Sequence, residues 1–332
     1  MNRSRLALRL ALALAFAVLG ALPALAVRRT EDPLALVPAS AATVGVVHWN
    51  ALRASPLAAK VFADVDRMSG DGDAARFLAD TGLTPREDID TVIIAMSPGS
   101  APGEAEAGLV IFEGRFDLNR ITAALTSRGG KRQDSANGVF YRLAQSAGTA
   151  DSQEPGAVAL VNRNLLVCGN ENAVVAALAR KESGGEGGLT SGQGIGRHLG
   201  RVDRDASAWA LVDLTRLPSA RRAAGNAGEP SQALMGAMKS VSLLAVSAVV
   251  HGDSVDLSAA GLSSDAENRN LIADSLRGML AMWRLAVADK SPDLVSVLRR
   301  FEIDSDGDSV SIRGTLPGSF LRSLSENRHA AR

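Results

Sequence analysis

The stretches 44–53, VGVVHWNALR, and 208–217, AWALVDLTRL, decide the fold prediction for this 332-residue chain. Each is a run of β-branched and other apolar residues, which is typical of a strand. Each then passes through a short polar segment to a proline that opens a helical pattern. The two segments lie about 160 residues apart and share both the pattern of apolar residues and a following proline. They therefore indicate an internal repeat.

The correspondence continues along both halves of the chain. Segments 92–97 and 242–247 are strand-like, and a second strand follows in each half at 108–115 and 255–262. Each second strand ends in a turn that contains glycine and an Asp or Ser able to cap the next helix. Each half then closes with a hairpin and a helix. The repeat unit therefore reads strand, helix, strand, strand, helix, strands, helix.

Two copies of this unit predict an internally duplicated α+β protein. The sheets should be mainly antiparallel, because hairpin connections are too short for parallel crossovers. We expect the helices on one face and a ferredoxin-like order of elements in each half. The sequence leaves open whether the halves form two separate sheets or one continuous sheet. The expected divisions are a signal peptide, a first repeat, a Gly- and Ser-rich linker, a second repeat and a tail, at 1–26, 27–181, 182–204, 205–326 and 327–332.

The best-defined element is a long helix in the second half. Ser264 and Glu267 have the spacing of a capping box at its start. Six apolar residues then recur at helical period, and we expect this stripe to lie in the core. The stripe consists of Ile272, Leu276, Met279, Leu280, Trp283 and Val287.

The N-terminus has the three parts of a secretory signal peptide in order. Three arginines within the first nine residues are followed by an apolar run at 10–22, which is shorter than the roughly 20 residues needed to span a bilayer. Pro23 ends this run, and Ala24 and Ala26 place small side chains where signal peptidase needs them. We therefore predict cleavage between Ala26 and Val27.

This prediction places the mature protein in the bacterial periplasm, or outside the cell if there is one membrane. The alternative is an uncleaved N-terminal anchor, which the short apolar run disfavours. Because Val27 and not cysteine follows the cleavage site, a lipid-modified N-terminus is not expected. No later stretch is apolar and long enough to predict a stable membrane span.

Composition is that of an ordinary globular protein, with 46% hydrophobic and 22% charged residues. The chain has 36 basic and 36 acidic residues, so loss of the three signal arginines leaves a net charge of about −3. This balance gives no reason to expect nucleic acid or an anionic membrane as partner. Arg221-Arg222 and Arg299-Arg300 are interpreted as solvated surface pairs.

A single cysteine, Cys168, excludes an internal disulfide. It lies in the apolar run 165–169, LLVCG, where a thiol usually acts as a small buried hydrophobe. A reactive thiol would need an exposed, electropositive site, which this run does not predict.

The segment LVPASA at 36–41, followed by a strand and then LRASPL at 52–57, resembles the opening of a group of uncharacterised bacterial exported proteins. That group begins its mature region with an LVPxxA segment, a strand and an LRxSPL helix start. The region 293–316, a short helix and an acidic-tipped hairpin, is similar to the C-terminal part of the same group. The resemblance implies an exported protein of this fold, and it implies no activity, ligand or functional residue.

Catalytic and phosphate-binding motifs are missing from the sequence. No GxSxG elbow, HExxH motif or Cys-His cluster is present. The glycine-rich stretch 192–196, GQGIG, lacks the Walker lysine and the preceding strand of a phosphate loop, so it predicts a linker and no cofactor. The histidines share no helix face, and a lone histidine on a strand is usually structural. They are His48, His198, His251 and His329.

The acidic series Asp304, Asp306 and Asp308 alternates like the start of a calcium loop. An EF-hand loop would need Gly at its sixth position and Glu at its twelfth, where this sequence has Ser309 and Thr315. An Asp-Gly hairpin tip explains the series, and we predict no metal site.

These observations favour a non-catalytic binding or interaction module of the envelope, with an envelope protein or a small apolar or peptide ligand as partner. The alternative is an exported hydrolase whose active site the sequence does not reveal. A cleft lined by both halves would favour binding if Trp49 or Trp209 were exposed beside it. A buried group of His48 with carboxylates would favour catalysis.

Overall fold

The computed structural model describes residues 32–53, 55–59, 62, 72–99, 107–143, 155–217, 239–288 and 292–321. Twelve strands in these residues form one sheet, and every neighbouring pair is antiparallel. The sheet order is β11-β12-β10-β9-β8-β1-β2-β3-β7-β6-β5-β4. The strands are β1 Thr43–His48, β2 Ile89–Ser97, β3 Ala107–Gly114, β4 Lys131–Ser135, β5 Gly138–Arg142, β6 Gly156–Asn162, β7 Leu165–Asn170, β8 Ala208–Asp213, β9 Leu243–His251, β10 Ser254–Leu262, β11 Glu302–Asp306 and β12 Ser309–Pro317.

Seven α-helices and several short 3-10 turns occur in the described residues. The two predicted long elements of the second half, the helix after β10 and the closing hairpin β11–β12, are both present. The helices are α1 Trp49–Leu52, α2 Gly72–Thr81, α3 Pro85–Asp88, α4 Leu118–Ser127, α5 Glu171–Glu182, α6 Ala266–Ala286 and α7 Pro292–Leu298. Together with the antiparallel sheet they confirm the α+β class. None of the helices described here is both long enough and apolar enough to cross a membrane.

The two halves meet in the strand pair β1–β8, and the sheet is therefore continuous. Outward from this seam, the first half runs β1-β2-β3-β7-β6 and the second runs β8-β9-β10-β12-β11. The connectivity is the same on both sides, and the hairpin β4–β5 extends only the first half. That the halves are copies of one ancestral unit stays a prediction of the sequence motifs.

The elements follow one another along the chain in the predicted order, and only their pairing in the sheet differs from a ferredoxin-like unit. A ferredoxin-like unit would interleave its strands, but here β1, β2 and β3 are neighbours in chain order and pair as a meander. The two-residue turn 252–253 joins β9 to β10, and a hairpin of this kind places consecutive strands side by side.

The sheet is covered on both faces, which corrects the expectation of helices on one face. Leu166 and Val167 are consecutive in β7 and so point to opposite faces. Val167 packs in the cluster that contains Val174 and Leu178 of α5, whereas Leu166 packs with Ile121 of α4. We call these the α5 face and the α4 face.

The register places α6 on the α4 face as well. Gly45 of β1 lies opposite Ala210, which lies opposite Val246, and the same line of partners continues through Ala259 to Ile312. Ile312 packs in the cluster formed with α6. The α5 face of the centre is covered by α5, by the N-terminal segment around 33–37, and by the chain between the halves.

The segment 182–204, expected as a linker, contains 3-10 turns at Leu189–Ser191 and Gly194–Arg201 and no strand. It is packed into the core: Leu189 is fully buried and Ile195 is 2% exposed. Pro38 forms an isolated bridge with Gly188. The segment is therefore part of the layer on the α5 face.

Candidate functional site

The most exposed large apolar side chains of the described chain all lie on one helix, α6. Leu271 is 40% exposed, Trp283 55%, Met282 58% and Leu285 78%. We call these four residues the α6 surface. Leu271, Met282 and Leu285 lie on one side of α6, whereas Trp283 points to nearly the opposite side from Leu285. Exposed apolar side chains grouped on a soluble protein commonly mark a binding site, whereas scattered ones need no explanation.

The opposite side of α6 is fixed in the core, and this sets which residues face outward. Ile272, Ala273 and Leu280 are buried and pack with Ile303 and Val310 of the terminal hairpin. Helical spacing of 100° per residue then turns Leu271, Met282 and Leu285 to solvent. The packing of α6 against the terminal hairpin therefore explains why Leu271, Met282 and Leu285 are exposed.

Two arginines of α6 add hydrogen bonds between the helix and the chain that it packs against. Arg277 donates from Nε and a terminal nitrogen to the carbonyl oxygen of Ile303, at 3.1 and 2.9 Å. Arg284 donates to the carbonyl oxygen of Leu298 at 3.1 and 2.8 Å, and to that of Phe301 at 3.3 Å. Ile303 lies in the edge strand β11, so Arg277 also occupies a carbonyl that would otherwise invite another strand. A groove of about 300 Å³ runs between α6 and β11, floored by Leu280 and Phe301.

The predicted core stripe of α6 is correct for its N-terminal part and wrong at Trp283. Ile272 and Leu280 are buried, and Leu276 and Met279 are half-buried, but Trp283 is more than half exposed. Trp283 lies on the same side of the helix as Ile272 and Leu280, but the apolar contacts of α6 with the terminal hairpin end at Leu280, and periodicity alone does not show where such contacts end. The helix start also differs by one residue, because Asp265 and not Ser264 caps it by accepting from the Asn268 amide at 3.0 Å.

Gly278 lies in the middle of α6 and is exposed. A Cβ at this position would meet no atom within 4 Å, so packing within the described chain does not require glycine. Glycine in a helix interior costs about 1 kcal/mol relative to alanine. Leu271, Gly278 and Leu285 are seven residues apart, close to two helical turns, and therefore share one side of the helix.

A second candidate region is a small polar cleft on the α5 face where the halves meet. It is lined by both halves and by the chain between them, and its free space, about 10 Å³, is of the order of one water position. Arg204 pairs with Asp32 at 2.5 Å inside this lining. The lining comprises Asp32, Pro33, Leu34, Val46, His48, Thr91, Ile93, Glu113, Arg204 and Trp209.

The cleft brings His48 into the same lining as two carboxylates, Asp32 and Glu113, which is the arrangement that favours catalysis in the sequence argument. The hydrogen bonding of His48, however, does not favour catalysis. His48 Nε2 lies 2.9 Å from the carbonyl oxygen of Arg204. Because a carbonyl only accepts, Nε2 carries the proton and cannot serve as a base. Asp32 is likewise engaged by Arg204.

Neither central tryptophan is exposed. Trp209 is 3% exposed and Trp49 is 2% exposed, and the Nε1 of each is buried without a hydrogen-bond partner among the described residues. Trp49 packs edge-on against Phe62 with ring centroids 5.0 Å apart. Both therefore act as core residues, and the criterion of an exposed Trp49 or Trp209 beside a cleft between the halves is not met.

The acidic hairpin forms the predicted turn, with Gly307 in a left-handed conformation. Asp308 is held by Arg201 through two hydrogen bonds of 2.9 and 2.5 Å, and this pairing lowers the pKa of Asp308. Within the described ranges, no group of three or more His, Cys, Asp or Glu side chains is arranged to hold a metal ion.

The remaining residues singled out in the sequence have structural settings. Burial and the nearby Arg197 and Arg201 lower the pKa of His198. His251 is exposed and lies 3.4 Å from Asp256. Burial raises the pKa of the Cys168 thiol to about 12, which agrees with an unreactive thiol. The signal residues up to Val27, the pair Arg221-Arg222, His329 and the tail 327–332 lie outside the described residues.

Comparisons with known proteins do not place the chain in a family. No family model and no curated protein matches it. Three crystal forms of TP0453 are similar in structure, with TM-scores of 0.43, 0.44 and 0.44 and sequence identities of 10%, 11% and 10%. The alignments cover 91%, 90% and 89% of this chain and 99%, 99% and 96% of TP0453. A likeness at this level carries no argument about function.

Proposed function

We propose that this protein is an exported envelope protein that acts by binding, with the α6 surface as its contact site. One observation carries the proposal: Leu271, Met282, Trp283 and Leu285 are exposed on one helix, and no other large apolar side chain of the described residues is exposed. Removing such side chains from water on contact with a partner is favourable in proportion to the area covered.

The chemistry of the α6 surface fits a protein or peptide partner. Trp and Met are enriched at protein interfaces, and Trp supplies a large contact area. Arg277 and Arg284 flank the surface, but their guanidinium groups are already bonded to carbonyl oxygens. The site therefore offers apolar contact and little free charge, which agrees with the near-neutral composition.

The central cleft supports a catalytic role less well. Its free space of about 10 Å³ leaves no room for an organic substrate. Its histidine, His48, has its Nε2 proton committed to Arg204, and its Asp32 carboxylate is paired. The exported hydrolase remains the alternative function.

Export is supported by the order of signal features in residues 1–26 and by the resemblance of 36–57 to bacterial exported proteins. N-terminal sequencing of protein recovered from the periplasm or medium tests this part. We expect the mature chain to begin at Val27. A chain that retains residues 1–26 in the membrane fraction would contradict cleavage.

Photo-crosslinking tests the contact site. A photoreactive amino acid replaces Leu285, and a matched variant carries it at Ala123, which is exposed on α4 on the same face of the sheet. Both are expressed with the signal segment and irradiated in cells. We expect a discrete crosslinked product from position 285 and none from position 123. Equal products from both, or none from either, would overturn the assignment of the α6 surface.

A further inference from the structure

We propose that the side of α6 that carries Leu271, Gly278 and Leu285 binds the same side of a second copy of this chain, with the two α6 helices antiparallel and a two-fold axis passing at Gly278. This inference rests on the proposed function, because it names the partner of the same site. It makes a prediction that a general binding surface does not make: the contact is symmetric about one residue.

Gly278 indicates that a second helix approaches α6 closely. It is exposed, and a side chain there would meet nothing within 4 Å in the described chain. Glycine therefore lowers helix stability at this position without a reason inside the protomer. A second helix that approaches closely at this point supplies the reason, since a residue without Cβ lets two helix axes come nearer.

The second argument is the arrangement of residues on either side of Gly278. In an antiparallel pair centred on Gly278, a residue a given number of positions before it meets the residue the same number after it. Leu271 and Leu285 are seven positions before and after, so each leucine meets the other on the partner. Ser275 and Ala281 are three before and after, and both are small. The stripe is thus self-complementary, as a two-fold interface must be.

The third argument is charge. Between positions 275 and 288 the only charged side chains are Arg277 and Arg284, and both donate to backbone carbonyls of this chain. Asp274, the nearest acid, is paired with Arg277 at 2.9 Å. Two copies can therefore approach without bringing free like charges together at the axis.

The size of the contact sets its strength. Leu271 to Leu285 spans about 21 Å of helix, roughly four turns. A single helix pair of this length buries less than the roughly 1,600 Å² of a standard interface. The expected dimer is therefore reversible, with a dissociation constant in the micromolar range, on the order of 1–100 μM.

Sedimentation velocity of the mature protein over a range of concentrations tests the proposal. We expect a monomer–dimer equilibrium for wild type. Leu285→Glu should weaken dimerisation at least about tenfold, because it places a charge against Leu271 of the second copy in both symmetry-related contacts. Ala123→Glu on α4 is the matched control and should leave the equilibrium unchanged. Leu285 is 78% exposed, so its substitution should leave the fold intact.

Gly278→Ala separates the dimer contact from effects on the helix. Alanine is a better helix former, so the monomer should become more stable, with a midpoint higher by about 2 °C at low concentration. The methyl group that this substitution adds lies on the proposed two-fold axis, where the two helices approach most closely. Dimerisation should therefore weaken by about tenfold. A variant that is more stable and dimerises as well as wild type would contradict close approach at this residue.

Disulfide formation at the axis tests the symmetry directly. Gly278→Cys places the same residue of both copies side by side and should give a covalent dimer on mild oxidation. Ala123→Cys should not. Cys168 is present in both variants and, being only partly accessible with a raised pKa, should not contribute.

Other outcomes overturn the proposal in distinguishable ways. Wild type that is monomeric at all concentrations, or a dimer that Leu285→Glu leaves intact, excludes the α6 pair. A photo-crosslink from position 285 to a different protein would keep the proposed function and reject the second copy. Co-sedimentation of monomer with phosphatidylethanolamine–phosphatidylglycerol vesicles, lost in Leu285→Glu, would make the occupant a lipid surface instead.

Discussion

Gly194 approaches the backbone of Ala39 so closely that a Cβ on Gly194 would lie 2.0 Å from the Ala39 carbonyl oxygen. The Ile195 amide donates to that same oxygen at 3.1 Å. The glycine-rich stretch 192–196 therefore serves to seat the chain between the halves against the N-terminal segment. Close backbone contacts explain Gly194 and Gly196, a left-handed conformation explains Gly192, and no phosphate is needed to explain them.

Gly194→Ala should destabilise the protein by more than about 2 kcal/mol, because it combines a left-handed φ of 52° with a backbone clash. Gly192→Ala is the matched control. Gly192 has a φ of 74° but open space around its Cβ position, so the cost should be about 1 kcal/mol. Urea unfolding of both variants measures the difference. Equal costs would show that the segment does not pack as described.

The sequence was sufficient for much of this fold because its signals are local. Alternating apolar residues such as Val44 and Val46 identify strands, and turn residues such as Gly307 identify hairpins. The partner of β1 could not be predicted in this way, since Val46 lies opposite Trp209, far along the chain. Pairing at such a distance depends on the whole topology, which also decides whether there is one sheet or two.

The candidate site was harder to predict for a different reason. Helical periodicity correctly placed Ile272 in the core stripe and left Leu285 outside it, but it could not show that packing against the terminal hairpin ends at Leu280 and leaves Trp283 exposed. The signal that was available is Gly278 within a long apolar helix, which the sequence argument did not weigh. The contact of His48 with the Arg204 carbonyl depends on a distant backbone atom and has no sequence signature.

Trp209 and Trp283 should respond to substitution in opposite ways. Trp209→Ala should cost about 3–5 kcal/mol in the free energy of unfolding, because it leaves a large cavity at the seam between β1 and β8. Trp283→Ala should change this free energy by less than about 0.5 kcal/mol in the monomer. Trp209→Phe should cost less than alanine, since it keeps a ring and removes a buried N–H without a partner. Guanidinium unfolding at low protein concentration provides the comparison, and a large loss at Trp283 would mean that its side chain is covered.

Glu171 and Arg142 give a pH-dependent contribution to stability. Arg142 donates to both carboxylate oxygens of Glu171, at 2.6 and 2.5 Å, and these bonds hold the pKa of Glu171 below its ordinary value of 4.5. A depressed pKa in the folded state stabilises the protein above pH 4.5, and this stabilisation is lost as the pH falls through the folded value.

Glu171→Gln should therefore cost about 1 kcal/mol at pH 7 and little at pH 2.5. The figure is modest because the Arg142 side chain is 43% exposed. Glu182→Gln, at an exposed pair with Lys181, is the control and should be neutral at both values. A cost for Glu171→Gln that is the same at both pH values would rule out the charge contribution.

Cys168 should be protected from alkylation in the native protein. Its thiol pKa of about 12 leaves very little thiolate at pH 8, and the residue is only partly accessible. We expect iodoacetamide to modify the native protein at least about a hundredfold more slowly than the urea-unfolded protein. Mass spectrometry at successive times gives both rates. Rapid labelling under native conditions would show that β7 opens locally.

The seam between β1 and β8 also constrains the order of assembly. The chain is synthesised from its N-terminus, so β1 emerges long before β8, and about 160 residues must follow before Val46 can meet Trp209. Until then β1 is a bare edge strand whose backbone groups are free to pair with another chain. The newly made first half is thus the stage most open to misassembly, and a holding chaperone that covers β1 would be of most use during that interval.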